Sequence, residues 1–290
     1  MRLGQFVRLV RIPTLAATAV PIMVGGALAL NGGGFSPLSW LDILLVGLLM
    51  QIATNSLNEY GDYRHAVDTI PSAGFAGIIV SGEVRASEVL YTAAACYALA
   101  FCLGIALVFE RGVGLLVLGV LAILAGVLYS EGPLPISSTP FGEVLVGVVM
   151  GPIEVLSADL AASGSTSPLA LAYSVPVGLM VTAILLANNL RDVDKDREHG
   201  RRTVAVMVGR RRGSLLLLFL IGAAFLWSVP AFLVFASPVS VFLVWLAFPV
   251  AARGCVELMG GKAWEKSVTV VARIHALVGL LLALSLLLNL

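Results

Sequence analysis

Charged side chains are scarce in this chain of 290 residues. Asp, Glu, Lys and Arg together make up 12% of the sequence, against about 25% in soluble globular domains, whereas hydrophobic residues make up 59%. This composition excludes a disordered chain, a collagen and a coiled coil, and it argues against a water-soluble globule. The formal net charge is +1, so the chain as a whole has no electrostatic attraction to nucleic acid.

Cysteine is also scarce. The three cysteines, Cys96, Cys102 and Cys255, form no Cys-x-x-Cys pair, and two of them lie inside apolar runs. The spacing gives no support to a thiolate metal site or a redox pair, and it favours small apolar packing residues.

Long apolar runs dominate the remaining sequence. There are nine, each roughly 17–23 residues long, and a helix needs about 20 residues to cross the hydrocarbon of a membrane. The runs are apolar on all faces, whereas the strands of a membrane β-barrel alternate. We therefore predict an all-α polytopic membrane protein, a single transmembrane domain over residues 1–290 with nine helices in a bundle. The predicted spans are 14–30, 38–57, 87–109, 113–129, 141–162, 169–190, 213–235, 238–254 and 267–288.

The first run has some features of a cleaved signal peptide. Arginines precede it, and Ala27-Leu28-Ala29 lies near its end. Eight further spans and the prolines Pro13 and Pro21 favour a retained, bent helix instead.

The distribution of basic residues predicts an orientation. With the N-terminus in the cytoplasm, 16 of the 18 Lys and Arg residues fall on the cytoplasmic side, Arg111 falls outside and Arg273 lies in the last helix. Such an asymmetry is the positive-inside signal. We therefore predict a cytoplasmic N-terminus, an outside C-terminus and polar chemistry on the cytoplasmic face.

The second and sixth spans both end on that face in a cluster of carboxylates and asparagines. Asn58 and Asp62 are four residues apart, as are Asp192 and Asp196, so each pair shares a helix face at about 5–6 Å. Carboxylates gathered near hydrocarbon repel one another and resist ionisation. Mg²⁺ relieves this, because it prefers carboxylate oxygens and keeps coordination positions open for phosphate oxygens. The pattern predicts a Mg²⁺–diphosphate site; the alternative is a set of solvated loop charges.

The two clusters also match each other at an offset of 134 residues. Because this offset spans four helices, it predicts a four-plus-four pseudo-repeat whose pseudo-twofold axis brings the clusters face to face. The matched pairs are Asn55 with Asn189, Asn58 with Asp192, Asp62 with Asp196 and Thr69 with Thr203.

Basic residues accompany the second cluster. Between residues 191 and 212 there are eight cations against four anions. The three consecutive arginines 210–212 start the next span and are typical topology anchors and lipid-headgroup contacts. The others could neutralise diphosphate oxygens: Arg191, Lys195, Arg197, Arg201 and Arg202.

The fifth span carries three acids, Glu143, Glu154 and Asp159, and a glycine pair. Glu143 and Glu154 are eleven residues apart and lie on nearly the same helix face. Glu154 is deep in the predicted membrane, where an ionisable group is a functional hypothesis by default, although a protonated helix contact is the alternative. Gly147 and Gly151 predict close helix packing, and Pro152 predicts a bend.

The paired acidic motifs resemble those of the UbiA superfamily of intramembrane prenyltransferases. That superfamily has nine helices, with an NDxxD-type motif and a DxxxD-type motif at corresponding ends of its second and sixth helices. The matching segments here are 58–62 (Asn-Glu-Tyr-Gly-Asp) and 192–196 (Asp-Val-Asp-Lys-Asp). Three positions depart from the family pattern: Glu59 replaces the usual aspartate, Ala66 stands where a glycine is common, and Gly77 stands where an arginine is usual.

Within the superfamily, the chain most resembles the 1,4-dihydroxy-2-naphthoate polyprenyltransferases of menaquinone biosynthesis. The segments that carry this resemblance are 129–133 (Tyr-Ser-Glu-Gly-Pro), 141–143 (Phe-Gly-Glu) and Gly151-Pro152. The resemblance implies Mg²⁺-dependent transfer of a polyprenyl group to an aromatic ring, with loss of the ring carboxylate to give demethylmenaquinone, and Mn²⁺ as a substitute metal. The implied partners are polyprenyl diphosphate, a small aromatic acid and the bilayer of the inner (cytoplasmic) membrane, with no nucleic acid and no obligate protein partner.

The resemblance also assigns roles to residues of this chain. It implies that catalysis and metal binding involve Asn58, Asp62, Asp192 and Asp196. It implies that substrate binding involves Arg11, Asn55, Asp68, Tyr129, Ser130, Asn189, Arg191, Lys195 and Arg201. Glu59 is a further candidate beside Asp68.

Other functions remain open on the sequence. Within the superfamily the acceptor could be 4-hydroxybenzoate, homogentisate or chlorophyllide, and phosphoribosyl-type donors or terpene cyclisation are further variants. Outside it, a transporter is the main alternative, but transporter sites lie near the membrane midplane, whereas the acids here cluster at one surface.

Overall fold

The computed structural model describes residues 2–64, 77–130, 134–260 and 264–288. Across those ranges, nine helical segments are long and apolar enough to cross a membrane, which confirms the predicted all-α, multi-pass fold. The nine segments are Thr14–Asn31, Pro37–Arg64, Ala86–Arg111, Val113–Ser130, Gly142–Ser163, Ala170–Arg191, Val204–Leu233, Val239–Met259 and Trp264–Leu287.

Several of these segments consist of more than one helix. The α-helices in chain order are α1 Leu3–Val10, α2 Ile12–Asn31, α3 Pro37–Arg64, α4 Ala86–Arg111, α5 Val113–Ser130, α6 Gly142–Val148, α7 Glu154–Ser163, α8 Ala170–Arg191, α9 Val193–Glu198, α10 Val204–Leu226, α11 Ser228–Leu233, α12 Phe248–Met259 and α13 Ser267–Leu287. Short 3₁₀ segments lie at Ile136–Ser138, Val239–Ala247 and Trp264–Lys266.

Two helices extend beyond their predicted apolar spans. Helix α3 continues to Arg64, so the first acidic motif lies on a helix rather than after it. Helix α10 begins at Val204, where the side chain of Thr203 accepts the N–H of Val206 at 3.4 Å, and it bends at Gly209. Hydropathy marks only the part of a helix that lies in the hydrocarbon. Helix α3 continues beyond it through polar residues, and the capping Thr203 allows α10 to begin before it.

The fifth span bends at Pro152, as predicted. A five-residue π-turn, Val149–Ile153, joins α6 to α7. Proline has no N–H to donate to the α-helical hydrogen-bond pattern, and one turn of π-helix accommodates the missing hydrogen bond.

The predicted glycine packing is also present. A Cβ built on Gly178 of α8 would lie 2.6 Å from the carbonyl oxygen of Gly147, and one built on Gly151 would lie 2.7 Å from the Cα of Gly178. Only glycine allows such an approach, which brings the start of α6 beside the end of α8.

A small second core lies at the motif end of the bundle, apart from the main core around α2, α8, α10 and α13. It consists of Leu9, Ile78, Ile79, Val84 and Val89, so it joins α1 to the segment that precedes α4. We call α1 together with residues 77–85 the cap. The sequence analysis did not predict α1, which is only eight residues long.

Candidate active site

One arginine joins the two acidic motifs. In Arg201, Nη2 donates to Oδ1 of Asp62 at 2.7 Å, and Nη1 donates to Oδ1 of Asp196 at 3.2 Å. Asp62 lies on α3 and Asp196 on α9, 134 residues apart in sequence. The structure therefore brings the two motifs together at a single guanidinium, face to face.

The other two predicted metal ligands are engaged nearby. Nε and Nη2 of Arg191 bind both carboxylate oxygens of Asp192, at 2.9 and 2.6 Å. The Ser130 hydroxyl donates to Oδ1 of Asn58 at 2.7 Å. Every predicted ligand thus has an oxygen in a defined contact, and the paired arginines offset the negative charge.

Burial shapes the electrostatics of this centre. Burial raises the pKa of the Asp196 carboxyl above its usual range, although the Arg201 guanidinium counteracts the rise. Burial by itself would lower the pKa of Arg201. The carboxylates of Asp62 and Asp196 together have the larger effect, so the pKa of Arg201 is raised overall. A charged Arg201 is therefore well matched to the two acids around it.

The oxygen donors suit a hard divalent cation. Three carboxylates and one amide oxygen are the ligand types that Mg²⁺ prefers. In the described part of the chain, no three His, Cys, Asp or Glu side chains lie close enough together to hold a metal ion on their own. The donor set therefore fits a metal that takes some of its ligands from a substrate.

A polar cavity surrounds the Arg201 contacts. We call it the cradle; its lining consists of Asn58, Gly61, Asp62, Ser130, Leu134, Pro135, Ser137, Ser138, His199, Gly200 and Arg201.

A second, mainly apolar cavity lies within the bundle between α3, α4, α5 and the fifth span, and we call it the chamber. Its polar lining residues are Gln51, Thr54, Tyr129, Glu154 and Ser157. Tyr129 lines the chamber and the next residue, Ser130, lines the cradle, so the two cavities adjoin at these residues.

The remaining predicted residues occupy different surroundings. Nη2 of Arg11 lies 3.4 Å from Oε2 of Glu59. Nδ2 of Asn55 donates to the Val10 carbonyl at 2.9 Å, at the junction of α1 and α2 rather than in the cradle. Lys195 is half-buried on α9. Asp68 lies outside the described residues.

Two acids hold site residues in ways that the sequence analysis did not assign. Nδ2 of Asn189 donates to Oε1 of Glu143 at 3.0 Å, and Glu143 is buried. Glu59 is buried as well and contacts the cap. Their burial could not be read from sequence, but their position at the predicted cytoplasmic ends of the second and fifth spans was the available signal.

Comparisons with known proteins find a family match over most of the chain. The sequence model of the UbiA prenyltransferase family matches residues 18–265. The chain is 34% identical over 248 residues to the 1,4-dihydroxy-2-naphthoate octaprenyltransferase of Bacillus subtilis (strain 168), a match that covers 85% of this chain and 80% of that protein. It is 32% identical over 210 residues to the protein of the same name from Escherichia coli (strain K12), covering 69% of this chain and 67% of that one.

Solved structures share the fold. A UbiA homologue from Aeropyrum pernix K1, in its apo form, superposes with a TM-score of 0.73 at 19% identity, covering 92% of this chain and 96% of that one. A UbiA homologue from Archaeoglobus fulgidus bound to GPP and Mg²⁺ superposes with a TM-score of 0.67 at 16% identity, covering 96% and 99%.

Proposed function

Because the chain belongs to the UbiA prenyltransferase family, we propose that it transfers a polyprenyl group from polyprenyl diphosphate to 1,4-dihydroxy-2-naphthoate. Family membership confirms the resemblance drawn from the two acidic motifs and makes the protein a multi-pass membrane prenyltransferase. The choice of acceptor is supported by the names of the relatives from B. subtilis and E. coli. The reaction would supply demethylmenaquinone to menaquinone biosynthesis.

The observation that carries the proposal is the junction of cradle and chamber. The cradle holds Asp62 and Arg201, whereas the chamber is mainly apolar. A polyprenyl diphosphate has the same division, a highly charged head on a long apolar tail. With its head in the cradle and its tail in the chamber, its first carbon would lie beside Tyr129 and Ser130.

The group transfer would follow from this placement. The bond between the first prenyl carbon and the diphosphate oxygen breaks, and a ring carbon of the acceptor bonds to that prenyl carbon. The ring carboxylate leaves as CO₂, and its bonding electron pair returns to the ring. The apolar chamber walls keep water from the allylic cation, which water would otherwise quench.

The chain's cations would stabilise the leaving group. Negative charge builds up on the diphosphate as the bond breaks, so Arg201 and Arg191 can bind the transition state more tightly than the substrate. Arg11, near the junction, is placed for the same role. Each of these arginines is already oriented by a carboxylate of the chain.

A divalent metal would be held by the oxygens of Asn58, Asp62, Asp192 and Asp196. Bound there, Mg²⁺ supplies positive charge to the diphosphate oxygens. The Archaeoglobus fulgidus homologue of the same fold is bound to GPP and Mg²⁺, which supports a divalent metal in this chain. We include Mn²⁺ as a substitute, because it accepts the same oxygen ligands.

We place the site on the cytoplasmic side of the inner membrane. The support is the predicted 16-to-1 distribution of basic residues, which puts both acidic motifs on that side.

The test is a product assay on the purified protein in lipid nanodiscs. A labelled polyprenyl diphosphate is offered with 1,4-dihydroxy-2-naphthoate, 4-hydroxybenzoate or homogentisate, and the products are identified by mass spectrometry. We expect a prenylated, decarboxylated naphthalene product, its loss in EDTA, and recovery with Mg²⁺ or Mn²⁺. Product from a benzoate only would contradict the acceptor, and full turnover after chelation would contradict the metal.

A further inference from the structure

Glu59 belongs to the first acidic motif by sequence, but the structure separates it from the other motif carboxylates. We propose that Glu59 is a positioning residue, which holds the cap and Arg11 beside the cradle, and that it is not a metal ligand. The expected effect on enzyme kinetics rests on the proposed function, whereas the expected effect on the structure of the cap does not.

Glu59 lies at the edge of the helix face that lines the cradle. Successive residues of an α-helix are about 100° apart around its axis, which puts Glu59 about 100° from Asn58 and about 60° from Asp62. Asn58 and Asp62 line the cradle, and Glu59 is not among its lining residues. Glu59 is instead buried, with 2% of its surface exposed.

Both carboxylate oxygens of Glu59 have partners outside the acid cluster. Oε1 accepts the backbone N–H of Gly77 at 2.7 Å and that of Ile79 at 3.4 Å. Oε2 lies 3.4 Å from Nη2 of Arg11. One side chain therefore joins α3 to two parts of the chain that meet at the cap.

Gly77 is suited to this contact. Its φ is +89°, a left-handed conformation that side-chain-bearing residues rarely adopt. Any residue that bears a side chain would be strained at this position. Glu59 is one methylene longer than an aspartate, which extends its reach to the N–H of Gly77.

A small apolar core holds the cap together. Ile78 and Ile79 pack with Leu9 in the small second core. The ion pair between Nη1 of Arg8 and Glu83, at 2.6 Å, lies on the surface and adds little to this packing. Helix α1 and the segment 77–85 are thus packed together, and Glu59 is their buried attachment to α3.

Arg11 connects the Glu59 contact to the proposed site of reaction. It adopts a left-handed conformation (φ 53°, ψ 64°) between α1 and α2, which a non-glycine residue holds only when its surroundings fix it. Its guanidinium lies 3.4 Å from Oε2 of Glu59, so the attachment also fixes the position of this cation at the motif end of α3. Holding Arg11 there would place a cation beside the diphosphate.

The test compares Glu59→Gln with Glu59→Asp. Glutamine keeps the length and an acceptor oxygen but loses the charge, whereas aspartate keeps the charge but cannot reach Gly77. If Glu59 positions the cap, Glu59→Asp loses amide protection in the 77–84 segment, about tenfold or more by hydrogen exchange in nanodiscs without substrate, whereas Glu59→Gln keeps it.

The kinetic readout separates positioning from metal binding. We expect Glu59→Asp to raise the KM for polyprenyl diphosphate at least about tenfold, with kcat and the half-saturating Mg²⁺ concentration within about threefold of wild type. Glu59→Gln should stay closer to wild type in KM. A metal ligand would give the reverse order, with Glu59→Asp active and Glu59→Gln needing about tenfold or more Mg²⁺, and that result would overturn the proposal.

Glu83→Gln is the matched control. It removes a cap carboxylate whose pair with Arg8 is exposed, so exchange at 77–84 and KM should both stay near wild type. If Glu59→Asp does not fold, Glu59→Gln decides alone: wild-type exchange and Mg²⁺ requirement support the proposal, and a raised Mg²⁺ requirement contradicts it. Because exchange is measured without substrate, a wild-type protein that fails to prenylate naphthoate would refute the proposed function and leave this structural arm intact.

Discussion

At the scale of single residues, the site is built around a guanidinium between two carboxylates. Arg201 binds Asp62 and Asp196 and is itself mostly buried, with 21% of its side chain exposed. Two carboxylates this near would repel strongly without a cation between them. When no metal or diphosphate is bound, the two carboxylates therefore depend on Arg201 to neutralise their charge.

The first prediction concerns Arg201→Gln. Removing the guanidinium leaves Asp62 and Asp196 uncompensated, which should lower the free energy of unfolding by about 1–3 kcal/mol, less than for a fully buried pair. Mg²⁺ should then stabilise the variant more than the wild type, because Arg201 no longer competes for the carboxylates. Thermal unfolding in detergent with and without Mg²⁺ measures both effects.

Arg253→Gln is the control for that measurement. Arg253 pairs with Glu257 on an exposed surface, with 84% and 48% of the two side chains exposed, so its loss should change stability by less than about 0.5 kcal/mol. Equal Mg²⁺ stabilisation of Arg201→Gln and wild type would show that Arg201 does not compete for the metal ligands.

The second prediction concerns Asp192→Asn. The change is nearly isosteric and keeps one oxygen, so the fold should survive. If Asp192 helps hold the metal and the leaving diphosphate, turnover should fall about a hundredfold or more, which corresponds to about 3 kcal/mol. Asp62→Asn should behave alike, and the double variant should cost less than the sum because the residues act as a unit.

The exposed Arg211 offers a contrast with these acids. Arg211→Gln should leave the chemistry nearly intact, since the residue is a predicted topology anchor. A folded Asp192→Asn protein with more than about half of wild-type turnover would refute the assignment of Asp192, because a lost metal ligand costs far more than that.

The sequence located these residues better than it located their partners. The 134-residue offset predicted that the two acidic clusters would face each other, and Arg201 binds a carboxylate from each, Asp62 and Asp196. It did not predict that Glu59, one residue after Asn58, turns to the cap. That outcome depends on where the chain places Gly77 in space, which no periodic pattern encodes.

At the scale of helices, the spans were predictable and their ends were not. Hydropathy found all nine segments, because burial in lipid requires about 20 apolar residues. It missed α1, which is short, and the extension of α3 to Arg64, which lies outside the apolar run. Asn58, Glu59 and Asp62 lie in the extension of α3, so one of the two acidic motifs lies beyond the part of the helix that hydropathy shows.

The third prediction tests the packing that aligns α6 with α8. Gly178→Ala should lower stability by about 1–3 kcal/mol, because the new Cβ would lie 2.6 Å from a backbone oxygen that cannot move freely. Activity should fall as well, since this contact sets the position of Glu143 against Asn189. Unfolding midpoints and turnover in nanodiscs give the two readouts.

Gly222→Ala on α10 is the matched control. A Cβ there meets nothing within 4 Å, so the substitution should be neutral or stabilising by up to about 1 kcal/mol through helix propensity. If Gly178→Ala were as stable as Gly222→Ala, the close approach of α6 and α8 would not contribute to the fold.

At the scale of the whole molecule, the charged groups of the site are separated from the apolar chamber. The cradle lies at one end of the bundle, and the chamber extends from it between apolar helices. An amphiphilic substrate can therefore enter from the lipid with its head at the membrane surface and its tail in the protein. This arrangement requires both acidic motifs to face the compartment that supplies the water-soluble acceptor.

The fourth prediction is the orientation of that end. With the three native cysteines replaced, Glu198→Cys on α9 should react with a membrane-impermeant maleimide only after cells are opened. Ser165→Cys, in the short exposed connection between α7 and α8, should react in intact cells. The reason is the 16-to-1 distribution of basic residues, which predicts that α9 lies in the cytoplasm. Labelling of Glu198→Cys in intact cells, with Ser165→Cys protected, would place both acidic motifs outside, where the proposed cytoplasmic acceptor could not reach them.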